Sequence, residues 1–128
     1  MIGKVITSIL TNDSAVTAIV SNRIYPILME EDTKLPAISY TVSTIDSEYS
    51  KTAWANDFVN FEVSMYAKSY SGVNTLASAV RSSLERTGGT YTTTMVGHIL
   101  MSGYSEEYDL NGDTYVITLN FRTHVKQY

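Results

Sequence analysis

A chain of 128 residues, 44% hydrophobic and 17% charged, has the length of one domain, residues 1–128, and the composition of a protein that buries a core rather than one that stays disordered. It holds no cysteine, which excludes disulfide scaffolds, thiolate metal sites and thiol nucleophiles. Its formal charge of −4, with a sequence pI near 5.0, argues against binding nucleic-acid backbone as the main task, because clustered Lys and Arg do that work.

Ile2, Val5, Ile6, Ile9 and Leu10 recur at helical spacing. Asn12, Asp13 and Ser14 then offer side-chain oxygens that can cap a second short helix carrying Val16, Ile19 and Val20. No small-residue cleavage site follows a continuous apolar run, and Ile2 rather than Gly follows Met1, so neither a secretory leader nor myristoylation is expected. Residues 23–29 are β-prone but contain Pro26, which predicts an edge strand or an irregular extended segment. Glu30, Glu31 and Asp32 mark a solvated turn.

Ile38, Tyr40 and Val42 alternate with polar residues, and so do Val59, Phe61, Val63 and Met65; period two predicts two strands with one buried face each. Between them residues 46–57 are polar except for Tyr49, Ala53, Trp54 and Ala55, which reads as a long hairpin tip or arm. Val73, Leu76, Ala77, Val80 and Leu84 form one helical stripe, with Ser69 or Ser71 as its cap and Gly88-Gly89 as its end. The stretch 87–105 has no charged side chain but is too rich in Gly and Thr to span a bilayer, so no membrane partner is expected.

The last third predicts one strand from Met95 to Tyr108, a two-residue type I′ turn at Asn111-Gly112, and a return strand through Tyr115, Ile117, Leu119 and Phe121. That register pairs Tyr108 with Tyr115 and Tyr104 with Leu119. It also sets Glu106 against the apolar Ile117, which points to a bulge or a longer loop. The expected class is α+β: a mostly antiparallel sheet packed against one amphipathic helix and two short N-terminal helices.

Catalytic chemistry is hard to find. Glu30-Glu31-Asp32 and Glu106-Glu107-Asp109 read as solvated loops first and as metal ligands only second. His98 and His124 fall on the two strands of the final hairpin, where Val125 rather than His124 faces His98, so the two imidazoles lie on opposite sheet faces and share no metal. No Gly-x-Ser-x-Gly elbow precedes a suitable His, and the glycines lack the Lys of a phosphate loop. No catalytic residue, cofactor or metal is therefore expected. Ten tyrosines and one tryptophan read mainly as strand formers with half-buried rims. Trp54, between two alanines in a polar arm, is instead the best candidate for an interface anchor.

Taken together, two short helices, Arg23-Ile24-Tyr25-Pro26 and Leu35-Pro36-Ala37-Ile38-Ser39-Tyr40 resemble the opening of the tail-completion proteins of long-tailed phages, also called tail terminators or head-tail joining proteins. Phe61-Glu62-Val63-Ser64-Met65-Tyr66, the 73–84 helix and the closing hairpin through Asp109, Gly112 and Leu119-Asn120-Phe121 are similar to the rest of that family. The arm at 46–57 matches none of its motifs. The resemblance implies a structural virion protein and no enzyme: a homo-oligomeric, commonly hexameric ring at the head-proximal end of the tail tube. Such a ring ends tube polymerisation, meets the tail tube protein on one side and the head-completion or connector protein on the other, and lets DNA pass through its lumen without specific binding. Its place would be the tail or neck of the virion, after a stage in the host cytoplasm. The alternatives are another neck or tail-tube component or, less favoured, a small-ligand module or enzyme with a pocket between sheet and helix. The expected contact residues are Tyr49, Trp54, Asp57, Tyr108 and Asn111.

Overall fold

The computed structural model describes residues 2–27, 33–49, 55–91 and 94–127. Its elements in chain order are α1 (Ile2–Thr11), α2 (Ser14–Val20), β1 (Ile24–Pro26), β2 (Ala37–Tyr49), β3 (Ala55–Ala67), α3 (Tyr70–Leu84), β4 (Gly89–Tyr91), β5 (Thr94–Val96), β6 (Leu100–Asp109) and β7 (Thr114–Gln127). The class is α+β. One sheet of seven strands runs in the order β1-β2-β3-β7-β5-β4, and β6 pairs with β7 beside β5. All pairs are antiparallel except β1 with β2.

All three helices cover the same sheet face. Ile2, Val5, Ile6 and Leu10 of α1, Val16 and Val20 of α2, and Val73, Leu76, Val80 and Leu84 of α3 are buried with Val59, Phe61, Val63 and Met65 of β3 and Ile117, Leu119 and Phe121 of β7. Phe61 lies directly opposite Phe121, and their rings stack at 5.4 Å. The caps are local chemistry. Asp13 Oδ1 accepts the Ala15 N–H at 2.9 Å, and Ser69 Oγ accepts the Gly72 N–H at 3.0 Å, each satisfying an amide that the first helical turn leaves unbonded.

The other face has no helix over it. It is mostly polar, with Phe58, Tyr66 and Val116 among hydroxyl and amide pairs that knit it together: Asn60 donates to Thr44 at 3.0 Å, and the Ser64 and Thr118 hydroxyls bond at 2.9 Å. No helix among the described residues is long and apolar enough to cross a membrane.

Four local expectations need correction. First, α3 ends at Leu84, before Gly88-Gly89, where Glu85 turns extended and Arg86 takes φ 63°. Gly88 serves a close approach instead, because a Cβ there would sit 3.0 Å from the Val96 and Gly97 carbonyl oxygens. Second, the strand expected over 95–108 is broken into β5 and β6. Residues 97–99 turn aside so that Ile99 bonds the backbone of Arg86 and Thr87, at 2.6 and 3.0 Å. Third, His98 therefore lies on no strand, Val125 pairs with Val96, and a register shift sits between Met101 and Gly103. Fourth, the hairpin loop has four residues, not two. Asp109 pairs with Thr114, the positive φ of 48° falls on Asp113, and Asp109 Oδ1 accepts the Asn111 N–H at 3.0 Å. An Asx-type turn thus replaces the type I′ turn. The pairs Tyr108 with Tyr115, Tyr104 with Leu119 and Glu106 with Ile117 are kept.

Candidate interaction edges

A strand at the border of a sheet exposes a row of unpaired N–H and C=O groups, which is a template for another chain. The sheet has two such borders. On one side β2 is 13 residues long, but β1 pairs only with Ile38, Ser39 and Tyr40. Among the described residues no strand covers the outer edge of β2 at 41–49. On the other side β6 pairs with β7 alone along its 10 residues.

Most of the exposed large apolar side chains lie on the same two borders, Ile27 and Ile45 on the first and Leu100, Tyr104, Tyr108 and Leu110 on the second, with Tyr70 of α3 and Met95 of β5 elsewhere. Ile27 is 76% exposed and holds φ 64°, a region that a β-branched residue rarely adopts. Leu110 is 83% exposed at the tip of the β6–β7 hairpin. The first border also carries an apolar cleft of about 540 Å³ between α1, the end of β1 and β2. Its walls include Pro26, Ile27, Tyr40 and Val42, with Lys4 of α1 at its rim, and the Tyr40 hydroxyl is bonded to Thr7 on its floor.

Glu106 is accommodated by side-chain chemistry rather than by a bulge at its own position. Tyr70 donates to both of its carboxylate oxygens at 3.0 Å, and Tyr104 donates to it as well. The Tyr104 phenol is pushed up to about 12, chiefly by that hydrogen bond to Glu106. Tyr108 is likewise raised, first by its hydrogen bond to Asp113.

The expected contact residues scatter. Tyr108 and Asn111 are exposed on the hairpin of the second border, where Tyr108 packs on Tyr115 with ring centroids 4.9 Å apart. Asp57 belongs to β3 and accepts from Ser47 Oγ at 2.8 Å, part of the paired hairpin rather than of a loop. Tyr49 is placed through its backbone, opposite Ala55. Trp54 lies outside the described residues. The described residues of the arm, 46–49 and 55–57, are thus strand, since β2 and β3 pair as far as Tyr49 and Ala55.

Ile27 and Leu110 escape the sequence reading, although Leu110 had a signal: it is the one apolar residue between Asp109 and Asp113 in an otherwise polar turn. His124 packs edge-on against Phe58 at 4.8 Å, and no group of three His, Asp or Glu among the described residues is placed to hold a metal. The space between α3 and the sheet, where a ligand pocket was one alternative, is filled by Val73, Leu76, Val80 and Leu84, each fully buried.

Comparison with known proteins agrees with this architecture. Residues 4–126 match the family described as tail completion protein gp17. Among solved structures, a chain of the virion of a native gene transfer agent particle superposes with TM-score 0.77 and 18% identity, over 94% of this chain and 91% of that one. At that identity the likeness is one of fold. No curated protein sequence matches the chain.

Proposed function

The chain belongs to the tail completion protein gp17 family, and from that premise we propose that it is a non-enzymatic structural protein that closes into a ring at the head-proximal end of a tail tube. There it stops tube growth and joins the tail to the head connector. The observation that carries this reading is the pair of unpaired edges, β2 at 41–49 and β6, on opposite sides of one sheet. A contact between two different surfaces repeats from copy to copy until the rotation closes, which removes both edges and leaves a ring with two unlike faces.

Ring closure also assigns the sheet faces. The helical layer needs the larger circumference and so lies outside, leaving the polar, helix-free face around the channel. That face carries Asp46, Glu62, Glu107 and Asp109 against Arg122 and Lys126, an acidic excess suited to letting DNA pass without holding it. Six copies follow from the family resemblance, as do the tube protein and the connector protein as the two axial partners.

The test is to add the purified chain to growing tail tubes and score tube length and ends by electron microscopy. The expected result is short tubes with a ring on one end only. Tubes that grow unchecked with bare ends would overturn the proposal, and filaments of this chain alone would make it a tube component.

A further inference from the structure

We propose that Leu110 of one copy seats in the cleft formed by α1, β1 and β2 of the next copy, with β6 of the first running antiparallel along residues 41–49 of the second. This contact rests on the ring reading above and specifies its register. The direction follows from the pairing order: β2 is antiparallel to β3, β3 to β7 and β7 to β6, so in a ring β6 of one copy meets β2 of its neighbour antiparallel. The lengths agree, since 10 residues of β6 face the edge of a 13-residue β2 whose Ile38, Ser39 and Tyr40 are already paired by β1.

The height of the contact is fixed by the tilt of strands in a closed sheet. Within one copy Tyr40, Val63, Leu119 and Tyr104 form one row across the four strands. Four strands about 4.8 Å apart, tilted ~35–45° to the ring axis, shift the row along the next strand by roughly 13–19 Å, which is about four to six residues. The parallel strands β3 and β5 are joined through α3, a crossover that is right-handed as a rule. With that hand and the right-handed coil of strands, the shift runs toward the C-terminal end of β6. The residue facing Tyr40 is then found between Tyr108 and Leu110.

At that height lies the end of β1. Pro26 is paired with Tyr40, and the Ile27 N–H bonds the Tyr40 carbonyl at 2.7 Å. An incoming β6 that pairs from residue 41 onward must stop there, and the next residue beyond its last, Leu110, meets the cleft. Charge agrees with shape. Asp113 lies in the same hairpin loop as Leu110, and the exposed Lys4 at the cleft rim has no ion-pair partner among the described residues.

Because the chain has no cysteine, disulfide trapping reads the contact cleanly. The doubly substituted chain Ile27→Cys/Leu110→Cys is assembled on tail tubes, oxidised mildly and run on a non-reducing gel, beside each single substitution. A second pair one step away, Thr41→Cys/Asp109→Cys, reads the same register should the first fold poorly. The expected result is a ladder that passes the dimer and ends at the copy number of the ring, absent from both single variants. Rings visible by electron microscopy with no ladder from either pair would overturn this contact while leaving the ring intact. No ring on tube ends from the unsubstituted chain assembled alongside would overturn the ring reading and this contact with it.

Discussion

Replacing Phe121 by alanine lowers the stability of the folded chain by about 3 to 5 kcal/mol, read as a fall in the urea midpoint at nearly constant slope. Phe121 is fully buried, faces Phe61 across β3 and β7 and stacks on it at 5.4 Å with an interplanar angle of 23°. The two rings lie in the middle of the sheet face that all three helices cover. Truncation therefore costs the transfer of a whole ring and leaves a cavity that rigid β-strands on both sides cannot close. Set against a typical total of about 5 to 15 kcal/mol, such a loss unfolds a large share of molecules on mild warming. Thr118→Ala on the bare face is the control. Thr118 is only half-buried and bonded to Ser64, so its loss costs about 1 kcal/mol.

Leu110→Asp has the opposite profile, with the fold intact and assembly lost. At 83% exposure Leu110 contributes little to the isolated chain, and a surface substitution of this kind stays within about 0.5 kcal/mol in stability. In the contact proposed above it is an apolar anchor filling an apolar cleft, where truncation costs on the order of 2 kcal/mol, or about 30-fold in the affinity of each contact. Aspartate adds the burial of an unpaired carboxylate beside Asp109 and Asp113. Every contact around the ring carries the same defect, so the losses compound and rings on tube ends should fall below detection at concentrations where the parent chain caps every tube. Urea unfolding measures the first half of this prediction and electron microscopy of tube ends the second. Rings formed as readily by the Leu110→Asp chain would show that the hairpin tip is not an anchor.

The fold was legible wherever one face of an element is buried, because burial imposes its period on the sequence. The stripes of α1 and α3 and the alternations at 38–42 and 59–65 place those helices and the strands β2 and β3 correctly, and the caps Asp13 and Ser69 are among the side-chain oxygens the sequence offers there. What failed was governed by backbone bonds to distant residues or by a side chain that captures a turn amide. The turn of residues 97–99 toward Arg86 and Thr87 breaks a strand that local pattern draws as continuous, and nothing in the local sequence records it. Asn111-Gly112 suggested a type I′ turn, yet the Asp109 side chain captured the Asn111 N–H and moved the positive φ to Asp113. The shift of register near Met101 belongs to the same class. A single register shift leaves the apolar alternation on each side of it looking regular.

The candidate interaction surface was less legible than the fold. Hydrophobic residues at the sheet borders carry no period that separates them from core: Tyr104 and Tyr108 alternate along β6 on the face of Leu119, and Ile45 returns to the face of Val42 only through the register shift between Val42 and Thr44. Only the pairing partners of β2 and β6 reveal that those positions stand at free edges. Polar tips such as Asn111 stand out in a sequence, whereas an edge is a property of what fails to lie beside it.

The most direct measurement of the central claim, that the two free edges join copies into a ring, is backbone amide hydrogen exchange on the chain alone and after assembly on tail tubes. Free edges exchange quickly, and amides in a ladder do not. The account predicts new protection in residues 41–47 of β2 and along β6, with little change in the amides of β3 that already bond β2 and β7. Protection that arises only in the helices, with both edges still exchanging as fast as in the free chain, would contradict it.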